Sequence, residues 1–184
     1  MIKQRELWLD HTSFSSGLEP FVLPAGYLGN AFNAVGAASC WILPIGAPTD
    51  TYLSTSSIRL SGLSGAQTNY PGQWTAGNIT GFEIIYSAKT VVGGLGTETF
   101  HLGVHIIVVP IGGVIPPFAY NMYAVALPAP YTNGALQTTG VIPVVVATVP
   151  GDRIFIGIAR AALTSPTDTH PGDFCFHDMT LYRD

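Results

Sequence analysis

Residues Gly140 to Ala161 read GVIPVVVATVPGDRIFIGIARA. Two runs dense in Val and Ile, Gly140–Val149 and Arg153–Ala161, flank Pro150-Gly151-Asp152. Branched side chains are stiff at χ1 and pack well on a pleated surface. Pro-Gly-Asp is turn chemistry: Pro presets one dihedral, Gly accepts positive φ, and Asp hydrogen-bonds nearby backbone. Strand, tight turn, strand is the reading, and the rest of the chain repeats it.

Moving outward, strands are expected at Thr99–Val109, Tyr120–Leu127 and Gly81–Ala88, with Phe82, Ile84 and Tyr86 sharing one face. Further runs are Ser57–Leu63, Trp41–Ile45, the short Glu6–Leu9 and the closing Phe174–Tyr182. The 21 Gly and 14 Pro punctuate almost every segment, and no window sustains a helical apolar period between caps. Eight or nine strands with turn signals about every 8–12 residues indicate an antiparallel two-sheet sandwich, with the jelly roll as the expected form. An immunoglobulin-like sandwich is the near alternative, but the Cys…Trp…Cys spacing is missing. The 184 residues suit one domain. It divides into a small-residue-rich arm or long loops over 1–39, packed on the sandwich or a neighbour, and a sandwich over 40–184.

Charge is scarce. Hydrophobic residues make up 47% of the chain and charged residues 10%, against roughly 25% in an ordinary domain. Mean hydropathy is +0.36. A surface short of ions needs Ser, Thr, Asn and Gly to wet it, or a partner to cover it, so a homo-oligomer is expected. The net charge is −4 and no Lys/Arg run occurs, which argues against nucleic acid and against a membrane surface. The start, Met1-Ile2-Lys3-Gln4-Arg5-Glu6, leads into no apolar segment, so no secretory signal is expected. Cys40 and Cys175 fit no zinc or redox spacing and read as buried thiols.

Chemical motifs are thin. His101 and His105 lie on a predicted strand, where residues four apart stand about 13 Å from each other and cannot share an ion. His170 and His177 follow no ligand spacing. Asp10-His11-Thr12-Ser13 puts the right residue types side by side, but sequence neighbours do not make a triad. Gly93-Gly94-Leu95-Gly96 lacks the Lys-Ser/Thr of a phosphate loop. Glu83 is the one acid whose place suits a functional group as well as a solvent-facing strand position. The reading expects no enzyme, no catalytic residue, no cofactor and no metal. Trp74, in Tyr70-Pro71-Gly72-Gln73-Trp74, reads as a loop aromatic able to stack on a sugar, so a glycan-binding module is the alternative. A hydrolase and a non-viral shell or filament are the remaining readings.

The C-terminal third carries a specific order: Pro150-Gly151-Asp152, the strand Ile154–Ile158, Arg160, a short loop, Asp168-Thr169-His170-Pro171-Gly172-Asp173, and a final strand to Tyr182. This resembles the ending of β-sandwich structural proteins of tailed-phage virions. Trp41-Ile42-Leu43-Pro44-Ile45 and Ser57-Ile58-Arg59-Leu60 look like earlier strands of the same domains. The long apolar middle, Val104 to Pro130, and the low charge depart from that pattern. The resemblance implies a sandwich or jelly roll in a virion, as a capsid, decoration or fibre component; with the scarce charge, the expectation is a homo-oligomer, as a trimer about a symmetry axis, in contact with other virion proteins. Subunit contacts are expected from the apolar arm and loops: Phe14, Phe21, Tyr27, Phe32, Ile115, Pro117, Phe118 and Tyr131. Arg160, Asp168, Gly172 and Asp173 are expected to fix the last turn, with Arg160 pairing to Asp168 or Asp173.

Overall fold

A computed structural model describes residues 6–10, 13–15, 27–29, 31–35, 38–44, 50–55, 58–61, 73–75, 77–89, 97–114, 121–126, 132, 134–160 and 166–184. Among them, strands form two sheets. The first contains β1 (Glu6–Asp10), β4 (Ala31–Val35), β5 (Ala38–Leu43), β9 (Ile79–Lys89), β12 (Gln137–Thr138), β13 (Ile142–Val146) and β15 (Asp173–Arg183). The second contains β2 (Phe14–Ser15), β3 (Tyr27–Gly29), β6 (Asp50–Thr55), β7 (Ile58–Ser61), β8 (Gln73–Thr75), β10 (Thr99–Val109), β11 (Asn121–Ala126) and β14 (Arg153–Arg160).

Eight of these strands make the frame. In the first sheet the order is β5-β15-β9-β13; in the second it is β6-β14-β10-β11. Every connection along the frame crosses from one sheet to the other, except β10 to β11. All pairings within it are antiparallel. That is the wrapping of a jelly roll. The chain is therefore an all-β antiparallel sandwich. The two parallel pairings, β3 with β6 and β7 with β8, lie outside the frame.

Alternation fixes which face turns inward. On β9, Phe82, Ile84, Tyr86 and Ala88 are buried, and on β15 so are Phe174, Phe176, Met179 and Leu181. They meet Phe100, Leu102 and Val104 of β10 and Ile154, Ile156 and Ile158 of β14 in one cluster. Phe174 stacks on Tyr86, with centroids 5.2 Å apart, and takes Phe100 edge-on at 4.9 Å, which joins the two sheets through one ring. The register of β15 on β9 shifts between Phe176 and Asp178, so His177 is an extra residue there.

The tight turns follow the sequence chemistry. In Val149-Pro150-Gly151-Asp152, the Asp152 N–H donates to the Val149 carbonyl at 3.2 Å, and Gly151 has φ +95°. Pro then Gly with positive φ is a type II turn. Asp152 also accepts the Val149 N–H on its carboxylate at 2.9 Å.

Two expectations need correction. Phe14 does not reach a neighbouring subunit: it is 3% exposed in its own core, edge-on to Phe176 at 4.6 Å. The two-residue strand β2, paired with β6, carries that ring into the core. Trp74 is not in a loop; it lies in β8, in register with Leu60. The N-terminal strands β1 to β4 all pair with strands of the two sheets.

Candidate assembly surface

The C-terminal motif builds a lock. Arg160 ends β14 with its side chain fully buried. Its Nη2 and Nε donate to the two Asp168 carboxylate oxygens at 2.8 and 2.9 Å. Nη1 donates to the carbonyls of Leu43 (3.2 Å) and Gly172 (2.8 Å), and Nη2 also donates to that of His170 (3.0 Å). A guanidinium has five N–H donors, and these five bonds use them all. Beneath it lies the Phe100 ring, 4.6 Å from the guanidinium carbon.

Asp168 further accepts the His101 N–H at 3.0 Å, and Thr169 accepts the Thr99 N–H on its hydroxyl at 3.1 Å. The backbone N–H groups of Thr169 and His170 both donate to the Thr99 carbonyl. The turn after β14 is thus fastened to the start of β10 and the end of β5. Gly172 contributes its carbonyl to Arg160 and its N–H to His170 Nδ1. Asp173 opens β15 in register with Lys89. The Arg160 and Asp168 side chains are spent on each other and on the protein's own backbone, so this cluster holds the fold.

The surface tells a different story. From Thr99 to Gly151 the chain contains no Asp, Glu, Lys or Arg. This stretch supplies β10, β11, β12 and β13. β11 is the outer strand of the second sheet, and β12 and β13 lie on the outer side of β9 in the first. Residues 144–146 of β13 and 104–106 of β10 line a common hollow, so the two uncharged edges share one flank of the sandwich. Along β13 and its continuation, exposure alternates strictly from Val141 to Val149. The outward positions are Val141, Pro143, Val145, Ala147 and Val149, with Val145 90% exposed. At about 3.3 Å per residue this apolar row is about 26 Å long. Ile111 and Val114, in the turn after β10, are also exposed.

Pro143 lies within this edge strand, where it offers no N–H to another strand. That disfavours open-ended strand-on-strand pairing and leaves the side-chain face as the contact.

Among the expected subunit contacts, Tyr27 lies in β3 and Phe32 in β4, with their side chains outside what is described, as is that of Trp74. Phe21, Ile115, Pro117, Phe118 and Tyr131 lie outside the described residues. The valine row was not among the expected contacts, although the charge-free run from Thr99 to Gly151 marks it in plain sequence. Among the described residues, no group of three His, Cys, Asp or Glu side chains is placed to hold a metal ion. No described helix is long and apolar enough to cross a membrane.

No family model matches the sequence, and no curated protein matches it. Two solved structures are loosely similar. A chain in the structure of infectious bursal disease virus, Gx strain, is 11% identical over 83% of this chain, with a TM-score of 0.39. One in the structure of the Gt strain of the same virus is 14% identical over 90%, with a TM-score of 0.40. This chain spans 30% and 34% of the length of those chains.

Proposed function

We propose that this protein is a virion structural subunit that works by assembling with further copies of itself, and that it is not an enzyme. The observation that carries the reading is the uncharged flank with its exposed valine row. A lone subunit would keep that row in water at a cost of about 25 cal/mol for each Å² of apolar surface left wet. An interface of ordinary size removes about 800 Å² from each partner, and a row about 26 Å long with the neighbouring Ile111 and Val114 is of the right scale to centre one. A contact without ions is also compatible with itself, since no like charges meet across a symmetry axis. The jelly-roll frame and the Arg160 lock support the same role, because a shell subunit needs rigid sheets and a pinned C-terminal hairpin. Closed packing about a threefold axis, as a capsid, decoration or fibre component, is the form we favour.

Charge placed in the row tests this. Val145→Asp with Val149→Asp should return the protein to monomers while leaving its circular dichroism and melting transition intact. Thr97→Lys, an exposed position at the other end of β10, should leave assembly unchanged. If the double variant assembles like the parent, the flank is not the contact.

A further inference from the structure

The outward face of the first sheet carries a second feature, distant in kind from the valine row. β1 lies beside β15, and β15 beside β9. Their registers set Trp8, Thr180 and Glu83 in one row across three strands, and Asp10, Asp178 and Ile85 in the next. Alternation turns these side chains away from the core, since Leu7, Leu9, Met179 and Leu181 point into it.

Trp8 is 68% exposed, the largest of the exposed apolar side chains among the described residues. Its indole N–H donates to the Asp178 carboxylate. Glu83 is held at both oxygens: Tyr182 donates its hydroxyl at 2.7 Å to one, and Thr138 donates to the other. The result is an open aromatic side chain with Thr180 and Asp178 on the next strand and the held Glu83 carboxylate one strand further on. A carboxylate oxygen has about two lone pairs, so each acid keeps acceptor capacity after these internal bonds.

We propose that this face binds a neutral glycan, with one hexopyranose ring stacked on Trp8 and its hydroxyls donating to Asp178 and Glu83. A sugar ring has an apolar C–H face and a rim of O–H donors, which matches an indole bordered by acceptors. The two competing occupants fit worse. An apolar protein surface would bury the carboxylates of Glu83 and Asp178 against groups that cannot pay back their hydration. Sialylated or sulfated glycans would meet Glu6, Asp10, Asp178 and Glu83 with no Lys or Arg in these rows to offset them. The inference stands apart from the assembly reading in its residues: both use the outward face of the first sheet, but Trp8 lies on β1, with β15 and β9 between it and β13.

The test is to probe the intact protein on immobilised neutral oligosaccharides of glucose, galactose, mannose and N-acetylglucosamine, with sialylated and sulfated counterparts. The best neutral oligosaccharide is then titrated by calorimetry. Retention of a neutral oligosaccharide is expected, with affinity about tenfold weaker or worse in Trp8→Ala, near parental in Trp8→Phe, and reduced in Glu83→Gln. The mass in solution should not change in any of the three. The inference is overturned if no neutral oligosaccharide is retained, if anionic glycans are preferred, or if Trp8→Ala binds as the parent does. It is equally overturned if Trp8→Ala alters the mass without any glycan binding, which would make Trp8 a subunit contact.

Discussion

Arg160 and Asp168 meet in a two-point ion pair, 2.8 and 2.9 Å, with both side chains sealed from solvent. Removing one partner of such a pair leaves an uncompensated buried charge, which costs about 3–5 kcal/mol. Arg160→Ala and Asp168→Ala should each lower the denaturant midpoint by that equivalent. Arg160→Lys should recover little, because one ammonium cannot serve a carboxylate and three carbonyls in a planar fork. Chemical unfolding checks this; a loss under about 1 kcal/mol for Arg160→Ala would show that the lock is dispensable.

His170 gives the fold a pH dependence. It is buried, with its ring centroid 4.1 Å from that of Phe100, and its Nδ1 accepts the Gly172 N–H at 3.0 Å. Burial holds its pKa below the ordinary 6.5 and the Arg160 guanidinium adds to that, against the raising effects of the Gly172 carbonyl, Asp168 and Glu98. Between that depressed value and 6.5 the unfolded chain takes up a proton that the folded chain refuses. Stability should therefore fall as pH drops below 6.5 and level off below the folded-state value. Melting temperatures measured from pH 7.5 to 5 check this, and His170→Asn should flatten part of the slope.

The turn at Gly151 makes a backbone prediction. With φ at +95° and the nearest obstacle to a Cβ, Ile111 Cδ1, at 3.4 Å, the position is limited by conformation rather than by space. Gly151→Ala should cost about 1–2 kcal/mol. Gly151→Asn should cost less, since Asn tolerates the left-handed region better. Thermal melts of the two variants, ranked against the parent, decide it.

Cys40 and Cys175 are both fully buried and form a small cluster with Ile42. The hydrogen bond to Cys40 comes first, followed by burial, in pushing the Cys175 thiol far above the usual range. Thiolate is the reactive form, so neither thiol should react with an aromatic disulfide reagent in the folded protein. Both should react in guanidinium chloride. Rapid native labelling would show that this side of the sheet opens.

Much of the fold was legible because its signals are local. Pro150-Gly151-Asp152 encodes its turn in three residues, and the alternation from Phe82 to Tyr86 announces its inward face. Nine strands fall on expected runs, with shifts of a few residues: the strand expected at Gly140–Val149 is Ile142–Val146, and that expected at Trp41–Ile45 begins at Ala38; β6 (Asp50–Thr55), a strand of the frame, and the short β2, β3, β4, β8 and β12 were not expected. Phe14 was misread because a two-residue strand has no periodicity to detect, and only its pairing with β6 decides where the ring goes. The same holds for Trp8. Leu7 and Leu9 mark β1 as half-buried, but the rows that set Trp8 beside Thr180 and Glu83 arise from strands separated by most of the chain. The charge-free run from Thr99 to Gly151 hints at the valine row, but which of its side chains face outward depends on β13 being an edge strand that, among the described residues, pairs only with β9.

The most direct test of the account is the mass of the unmodified protein in solution at neutral pH, by sedimentation equilibrium across a range of concentrations. A closed multiple of the 19.4 kDa chain is expected, insensitive to salt because the contact carries no ions. A species of 19.4 kDa at every concentration, stable and soluble with its valines in water, would contradict it.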